Sequence, residues 1–400
     1  MSDLTPQPHS NGQLLAIFLR LGLTSFGGPI AHIGFFRHEF VTRRRWFSEQ
    51  QFAEMLALCQ FLPGPASSQL GLAIGVSRGG VRGALCAWLG FTLPSAVLMV
   101  AFAQGLRAGG SLIPPGVLPG LQLVAVAVVI QAVCAMAASF CTNAIKIALA
   151  LGAAVGALTL HGAFVQIAII TVAALIGLAV LEREASVLHQ QVEITLKRRT
   201  GLLLLGTFAL LLVVLPVAAR VSASTPLALT DSFYRAGALV FGGGHVILPM
   251  LHEEVAAHGW VSDTIFVSGY SAAQALPGPL FTFAAFLGAS ISTGMDPLVG
   301  GALCLLAIFA PSFFLVLGSA PFWNLARANA ASRSAFAAIN AAVVGLLLAA
   351  LYRPIGTTAV HGALDLVVVA AALLALVYWR VPVWMVVIGG GVLGGLICAV

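Results

Sequence analysis

A succession of long apolar segments dominates this chain and limits what it can fold into. A helix that crosses a membrane needs roughly 20 mostly apolar residues. About thirteen candidate segments lie near 14–36, 52–75, 80–104, 117–141, 143–160, 163–181, 200–220, 232–251, 265–292, 296–319, 335–352, 358–379 and 382–400. Only 8% of the residues are charged, against about 25% in soluble domains. So few charges cannot cover a surface in water, and the sequence predicts an all-α polytopic membrane protein.

One polar stretch, "EREASVLHQQVEITLKRR" at 182–199, divides the chain nearly in half. It predicts an N-terminal tail over 1–12, a first repeat over 13–181, this polar linker, and a second repeat over 200–400. The N-terminus has no basic region of the kind that opens a signal peptide. We therefore expect the first apolar segment to be kept as a span.

The two halves share four landmarks in the same order and at nearly the same spacing. These are Arg20–Gly28 with Arg235–Gly243, Trp46 with Trp260, "QFLPGP" at 60–65 with "QALPGP" at 274–279, and "GALCAWLGFTLPS" at 83–95 with "GALCLLAIFAPS" at 301–312. About seven candidate spans precede the second glycine motif, and an odd number turns the second repeat upside down. The sequence thus predicts inverted repeats, whereas an even count would make the repeats parallel.

The positions of Lys and Arg predict orientation only weakly. With the spans above, about ten basic residues fall in loops on the N-terminal side and about seven on the other, which slightly favours a cytoplasmic N-terminus. The cluster "RRRW" at 43–46 falls on the side with fewer basic residues. A re-entrant hairpin over 52–75 would bring the basic clusters to one side. It would also make the count of spans even, and remove the inversion unless another span is miscounted.

Glycine and proline interrupt the apolar segments at matching places in both repeats. A proline removes a backbone donor and clashes with the preceding turn, and glycine loosens a helix. In lipid, the N–H groups freed by a broken helix must bind protein, water or ligand, and a helix N-terminus suits an anion. The alternative is close helix packing through small residues. The predicted binding residues at these breaks are Gly27, Gly28, Pro63, Gly64, Pro65, Gly242, Gly243, Pro277, Gly278 and Pro279.

Two arginines at equivalent positions lie inside or at the start of apolar segments. Arg20 has no acidic residue in its segment before Glu39, while Arg235 follows Asp231 by four residues. A guanidinium inside a membrane is costly and often functional, and it binds oxyanions with paired hydrogen bonds. We therefore predict that Arg20 and Arg235 bind an anionic substrate. A local ion pair for Arg235, or an Arg20 side chain that reaches the interface, is the alternative.

Several other polar residues accompany the breaks. Gln60 and Gln274 precede the two Pro-Gly-Pro motifs, and Ser67, Ser68 and Gln69 follow the first. These neutral donors are candidates either for substrate contacts or for satisfying the broken helices. The candidates for proton coupling are His32, Glu39, His245 and Glu254. A structural histidine or an interfacial carboxylate is the alternative at each of these positions.

Several functional classes lack their sequence signatures in this chain. The six cysteines form no CxxC pair, and the histidines show no zinc-protease spacing, so neither a metal nor a cofactor is expected. No phosphate-binding loop and no nucleophile elbow occurs, which argues against ATP-driven transport and against a hydrolytic enzyme. No nucleic-acid partner is expected. The net charge of +6 favours anionic lipid or an anionic substrate.

The stretch "FGGPIAHIGFFRHEFVTRRRWFSEQQFAEMLALCQFLPGP", with "FGGGHVILPML" and "QALPGP" in the second half, resembles the chromate ion transporter family in its long, two-domain form. The resemblance covers roughly 14–180 and 225–350. It implies a multi-pass protein of a bacterial or archaeal inner membrane, with homologous halves of opposite topology. It also implies gradient-driven chromate efflux and chromate resistance. Gly244 stands where the first half has Pro29, so the half-sites should differ.

The expected function is therefore secondary transport of a tetrahedral dianion by alternating access around a central site. Protons as the coupling ion, and a homodimer, are left open. One alternative is a transporter of sulfate or another anion. An alternative of a different class is a membrane enzyme that acts on a lipid phosphate.

Overall fold

The computed structural model describes residues 10–108, 116–160, 165–181, 197–240, 247–292, 294–322 and 330–397. Its main helices are α1 (Asn11–Thr24), α2 (Gly28–Arg37), α3 (Glu49–Phe61), α4 (Ala66–Arg107), α5 (Val117–Phe140), α6 (Ala144–Thr159), α7 (Val165–Val180), α8 (Arg198–Ser222), α9 (Thr225–Leu239), α10 (Ile247–Ala257), α11 (Asp263–Ala275), α12 (Phe283–Ser290), α13 (Pro297–Ser319), α14 (Ala330–Ala350), α15 (Ala363–Val377) and α16 (Val383–Ile397). Short π-helical or 3-10 segments continue α2 and α14 and precede α12. These ranges contain no β-strand, and the prediction of an all-α fold is confirmed.

The first apolar segment, 14–36, is a pair of helices rather than one span. Gly27 and Gly28 turn the chain with φ of +101° and +76°, values that glycine adopts without steric cost. After the turn, α2 and its π-helical continuation pack back along α1, and the ring of Phe18 lies 5.3 Å from that of Phe40. The pair is a re-entrant hairpin, and both of its ends lie on one side of the protein, called here the N-terminal face.

A second re-entrant hairpin joins α3 to the first part of α4, residues 66–78. Gly64 lies at its turn with φ of +127°. At the end of this hairpin, Gly79 packs against Asn11 and Leu14, which begin α1. The second hairpin therefore also returns to the N-terminal face.

The chain reverses again inside α4. Gly79 and Gly80 leave the helical region of φ and ψ, and Gly75 packs directly against Gly83. Residues 81–107 then form a helix about 40 Å long, enough to cross to the opposite face.

The second half repeats this arrangement upside down. Segment 81–107 and α13 carry the same sequence landmark, and they pack against each other in opposite directions. Trp88, early in the first of these helices, contacts Phe313, late in the second, with ring centroids 5.5 Å apart. Val100, which is later, packs against Gly301, which is earlier. Equivalent helices that run antiparallel confirm the prediction of inverted repeats.

The two re-entrant hairpins explain why the number of membrane crossings was uncertain from the sequence. The segments near 14–36 and 52–75 both turn back, so neither changes the face on which the chain continues. Before the second repeat the chain crosses through 81–107, α5 and α8, while α6 and α7 form a returning pair. The number of net crossings stays odd. A re-entrant hairpin over 52–75 is thus compatible with inversion, because 14–36 is re-entrant as well.

The outer surface of the bundle is apolar, as a lipid-facing surface must be. Five helices of the described residues are long and apolar enough to cross a membrane: Ala66–Arg107, Val117–Phe140, Arg198–Ser222, Pro297–Phe322 and Ser334–Ala359. Large apolar side chains such as Leu93, Leu203, Val213 and Leu396 are exposed along the outer helices. The chain is a multi-pass membrane protein.

The last two helices of each half pack against the other half: α6 and α7 pack against α14, and α15 and α16 pack against α5. Gly120 of α5 packs against Gly390 and Gly394 of α16, and Gly345 of α14 packs against Ala150 of α6. Small residues at these contacts allow the helix backbones to approach closely. This exchange ties the two halves into one body. The first part of the predicted linker, 182–196, lies outside the described residues, and the predicted domain boundaries stay a prediction.

Basic residues are distributed very unequally between the two faces. Among the described side chains outside the membrane-embedded positions, eleven lie toward the N-terminal face: Arg37, Arg43, Arg44, Arg45, Arg78, Arg82, Lys146, Lys197, Arg198, Arg199 and Arg380. Three lie toward the opposite face: Arg107, Arg220 and Arg353. The two basic clusters therefore share one face, which the count of single spans failed to show.

Candidate functional site

The helix breaks of the two halves meet at one place, called here the central crossing. Gly64 donates its backbone N–H to the carbonyl oxygen of Val240 at 2.6 Å, and Gly278 donates to the carbonyl of Ser25 at 3.0 Å. Ser25 and Val240 are equivalent positions, as are Gly64 and Gly278. Each Pro-Gly-Pro turn is thus bonded to the helix end in the opposite repeat, and the crossing has approximate twofold symmetry.

The central crossing lies at mid-depth in the protein. Gly278 packs against Ser95, which is near the middle of segment 81–107, and Gly64 packs against Ser312 of α13. Each serine follows a proline inside its helix. The ends of 81–107 are about 20 Å away in either direction. The crossing is therefore far from both faces.

Helix N-termini point into this region without side-chain caps. α2 begins after Gly27 and α4 begins after Pro65, and neither residue supplies a capping hydrogen bond. The first N–H groups of a helix have no partner within the helix, and the helix dipole adds a partial positive charge. Two such ends close together favour an anion.

Polar side chains of the first half surround these helix ends. His32 Nε2 lies 3.1 Å from the Ser25 carbonyl oxygen, and His32 Nδ1 lies 3.4 Å from Ser67 Oγ. Gln69 donates from Nε2 to the Pro63 carbonyl at 2.7 Å. His32, Ser67 and Gln69 are all buried, so these contacts hold the two re-entrant hairpins together at their turns.

Several buried oxygens around the crossing have no hydrogen-bond partner among the described residues. They are Ser25 Oγ, Ser68 Oγ, Gln69 Oε1, Thr92 Oγ1 and Ser312 Oγ. A buried polar atom without a partner costs about 1–3 kcal/mol, and native proteins keep few of them. A group of such atoms beside two helix N-termini indicates a place that a polar ligand or water fills.

Most of the polar lining belongs to the first half, and Ser312 is the second half's contribution among the unpartnered oxygens above. Where the first half has Ser67, Ser68 and Gln69, the second half has Phe281, Thr282 and Phe283. Ile247 stands at the position equivalent to His32. The crossing is symmetric in its backbone and asymmetric in its chemistry.

The first half has an ion-pair cluster below the crossing, toward the N-terminal face. Arg20 Nη2 lies 2.5 Å from Glu39 Oε2, and Arg43 and Arg44 bind the same carboxylate at 3.1 and 2.6 Å. Glu39 is buried, but the side chain of Arg20 is 47% exposed. Three cations share one anion here.

The second half has the equivalent cluster with the opposite excess. Arg235 binds Glu254 at 2.6 Å and Asp231 at 2.9 Å, and all three side chains are nearly buried. Glu254 follows Arg235 by the same 19 residues that separate Glu39 from Arg20. Two anions share one cation here.

These ion pairs correct the reasoning that made the arginines substrate ligands. The expectation that Arg20 lacks a carboxylate is wrong, because Glu39 lies across the hairpin, and Arg235 has two carboxylates. A role of either arginine in substrate binding stays a prediction. Glu39 and Glu254 remain candidates for proton coupling, now with identified partners.

The other predicted residues divide into three groups. Gly27, Gly28, Pro63, Gly64, Pro65, Pro277, Gly278 and Pro279 form the turns at or beside the central crossing, and Gln274 is buried close to them. Gln60 is exposed, and it lines a separate cavity with Lys146 and Asn340. Gly242, Gly243 and His245 lie outside the described residues.

Sequence reasoning named Ser68 and Gln69 as possible donors, but it missed the other hydroxyl groups of the crossing. Ser25 and Thr92 have no distinguishing motif, and Asp231 was considered only as a local partner of Arg235. Ser95 and Ser312 did carry a signal, because a Pro-Ser dipeptide recurs in both halves. A serine after a helix-breaking proline in both repeats could have been selected on that basis.

Comparison with known proteins identifies the family to which this sequence is similar. The model of the chromate transporter family matches residues 12–181 and 227–395. A chromate transport protein of Pseudomonas aeruginosa is 28% identical over 78% of this chain and 73% of its own length. A chromate transport protein of Cupriavidus metallidurans is 27% identical over 91% of this chain and 86% of its own. An uncharacterized transporter of Methanocaldococcus jannaschii is 25% identical over 84% and 82%. No solved structure matches the chain significantly.

Proposed function

This chain belongs to the chromate transporter family, and on that premise we propose that it is a secondary active transporter that exports chromate through the central crossing. The observation that carries the proposal is the group of unpartnered buried hydroxyls, Ser25, Ser68, Thr92 and Ser312, beside the uncapped starts of α2 and α4. Membership of a transporter family also argues against the alternative of a lipid-phosphate enzyme.

The chemistry of the crossing suits a dehydrated tetrahedral dianion. Chromate carries four oxygens that accept hydrogen bonds, while hydroxyl and backbone N–H groups donate them. A hydrogen bond to a charged acceptor is about twice as strong as one between neutral groups. Neutral donors and helix ends can therefore hold the dianion without an arginine in contact, and a neutral site also releases its ligand more readily.

Orientation follows from the unequal distribution of basic residues. Cytoplasmic loops carry an excess of Lys and Arg, so the N-terminal face, with eleven such side chains against three, faces the cytoplasm. We propose that this membrane is the inner membrane of a bacterium or archaeon, which the similarity to bacterial and archaeal transporters supports. The three arginines around Glu39 then lie on the cytoplasmic side of the crossing, where their excess positive charge attracts anions.

The membrane potential favours export in this orientation. One elementary charge gains about 2.3 kcal/mol per 100 mV of potential, and a dianion leaving a negative interior gains about twice that. Because the halves are inverted, a tilt that opens the crossing to one face has an equivalent tilt that opens it to the other. Chromate would bind from the cytoplasm in one state and leave outward in the other, which confers resistance on the cell.

Chromate uptake into everted vesicles tests the site. We expect Ser68→Ala and Ser312→Ala each to weaken chromate binding about ten- to hundredfold, as loss of a hydrogen bond to a charged group does. Neither should lower thermal stability, because each removes an unpartnered buried group. Ser139→Ala is the matched control, since Ser139 is exposed and bonded to its own helix. Unchanged half-saturation in both site variants would disprove this location.

Sulfate has the same shape and charge, and the donors at the crossing do not distinguish the two anions. Competition between labelled chromate and unlabelled sulfate in the same vesicles measures the preference. Chromate tolerance of cells that express the protein, compared with cells that express Ser312→Ala, tests the physiological role. Equal tolerance of the two strains at equal expression would contradict a role in resistance.

A further inference from the structure

The cluster Asp231–Arg235–Glu254 has one carboxylate more than it can neutralise. Arg235 places Nε and Nη2 against Asp231, and Nη1 and Nη2 against both oxygens of Glu254, at 2.6 to 3.1 Å. All three side chains are at most 11% exposed. With both carboxylates ionised, this buried group has one negative charge in excess. An unbalanced buried charge is costly, and a single proton would remove it while Arg235 keeps one ionised partner.

The equivalent cluster in the first half cannot work in this way. Glu39 faces Arg20, Arg43 and Arg44. A proton on Glu39 would leave three cations without an anion. Of the two repeat-related clusters, only the second gains by binding a proton.

Two neighbouring cavities lie between the opposite face and the second cluster. A cavity of about 10 Å³ lies against Arg235, Glu254 and Gln166, and about one water molecule fits such a space. It shares Gln166 and Glu253 with a larger cavity of about 250 Å³. The larger cavity lies at the ends of α6 and α14, toward the opposite face.

Other ionisable side chains also lie near these two cavities. His252 and Glu253 line the larger cavity, as does Arg353 from the segment after α14. His252 is bonded to Asp263 at 2.7 Å. His258 follows Glu254 by four residues, and its Nδ1 is 2.8 Å from the Glu254 carbonyl oxygen. α7 contributes the neutral Gln166. Asp231 and Glu254 are thus the carboxylates that share a buried cation.

We propose that the Asp231–Glu254 pair binds the proton that enters the cell in exchange for chromate. This inference rests on the proposed function. The proton passes from water at the opposite face, through the two cavities, to one carboxylate oxygen. It leaves to the cytoplasm after the halves tilt, so the only bond made and broken is one O–H bond. Chromate moves outward through the crossing in the other half of the cycle.

Purified full-length protein in proteoliposomes tests this coupling. Chromate/chromate exchange measures the central crossing alone, because it needs no net proton movement. Accumulation of chromate driven by a pH gradient measures the coupling. If one proton exchanges per chromate, the equilibrium chromate ratio changes about tenfold per pH unit. We expect Asp231→Asn and Glu254→Gln to keep exchange and to lose the response to pH, since each leaves Arg235 with one carboxylate.

Glu253→Gln is the matched control, because Glu253 lines the same cavities without binding Arg235. It should keep both exchange and the pH response. A wild-type protein without chromate exchange would contradict the proposed function itself. A wild-type protein that exchanges chromate but ignores the pH gradient would overturn only the coupling. Loss of exchange in both carboxylate variants, or a full pH response in both, would also overturn the coupling.

Discussion

The two inverted halves share one ion-pair position and give it opposite charge. In the first half, one buried carboxylate, Glu39, binds three arginines that are partly exposed. In the second half, one buried arginine, Arg235, binds two carboxylates. Both halves have a salt bridge between the two helices of the hairpin, Arg20–Glu39 and Arg235–Glu254, with the same 19-residue separation. What changed is the excess charge, which is positive toward the N-terminal face and negative toward the opposite face.

The central crossing differs between the halves in the same manner. Its backbone hydrogen bonds are reciprocal, from Gly64 to Val240 and from Gly278 to Ser25. Most of its polar side chains come from the first half, with phenylalanines at two of the equivalent positions in the second. Together the two comparisons indicate different roles for the two halves. The first half supplies most of the proposed ligand contacts, and the second half supplies the carboxylate pair Asp231–Glu254.

The largest expected effect is the loss of stability on removing Arg235, compared with removing the equivalent Arg20. Arg235→Gln leaves two buried carboxylates without a cation, and loss of one partner of a buried pair costs about 3–5 kcal/mol. Arg20→Gln leaves Glu39 bound to Arg43 and Arg44 and removes a half-exposed side chain, so we expect less than about 1 kcal/mol. Thermal unfolding of the purified protein in detergent measures both.

The control for this prediction is a rescue. Asp231→Asn in the Arg235→Gln background removes one of the stranded charges, and it should recover part of the lost stability. Equal destabilisation by Arg20→Gln and Arg235→Gln would show that the halves do not differ as the geometry indicates. A large loss of chromate affinity in Arg20→Gln, without loss of stability, would restore the predicted role of Arg20 as a ligand.

The second prediction concerns the glycines of the two Pro-Gly-Pro turns. Gly64 and Gly278 have φ of +127° and +98°, and strain in such regions costs about 1–3 kcal/mol for other residues. A methyl group at Gly64 would meet the Gln69 amide and Ser312, whereas one at Gly278 would meet Ser95 and the backbone of the crossing helix. We expect Gly278→Ala to be the more destabilising, because a backbone carbonyl cannot move aside.

Chromate uptake separates the two glycine variants further. Gly64→Ala displaces Gln69 and Ser312 of the proposed site, so its uptake should fall more than its stability explains. Gly34→Ala is the control, since Gly34 is helical and has open space around it, and it should be neutral or slightly stabilising. Wild-type uptake in Gly64→Ala would place the substrate elsewhere.

Much of the fold could be predicted because hydropathy and repeats record it directly. Apolar length predicts the helices, and the matched glycine and proline motifs predict where they break. Re-entry of 14–36 could not be predicted, because a segment that turns at mid-depth has the same apolar composition as one that crosses. Re-entry of 52–75 was indicated only by the basic cluster at 43–46. The reversal at Gly79–Gly80 is visible only through the packing of Gly75 against Gly83 and of Gly79 against α1.

At the candidate site, the sequence predicts the backbone turns but not the side-chain partners. The backbone turns follow from Gly64 and Gly278, whose role needs only local conformation. The partner of Arg20 could not be predicted, because Glu39 reaches it only after the chain reverses. Gln60 and Gln274 occupy the same motif position, yet Gln60 is exposed and Gln274 is buried. Side-chain surroundings depend on tertiary packing that a single sequence does not record.

The smallest expected effect concerns a third pair of equivalent positions. Arg37 binds Glu49 at 2.5 Å in the first half, and His252 binds Asp263 at 2.7 Å in the second. Arg37 and Glu49 are both more than half exposed, and a solvent-exposed ion pair adds little to stability. The His252 side chain is only 16% exposed, so solvent screens the second pair less.

A double-mutant cycle on each pair compares them, with unfolding measured at two salt concentrations. For Arg37→Gln and Glu49→Gln, the coupling energy should be small and reduced by salt, because both side chains are exposed. For His252→Gln and Asp263→Asn, the coupling energy should be larger and less sensitive to salt, because the His252 side chain is only 16% exposed. Equal coupling energies with equal salt dependence would remove the third asymmetry.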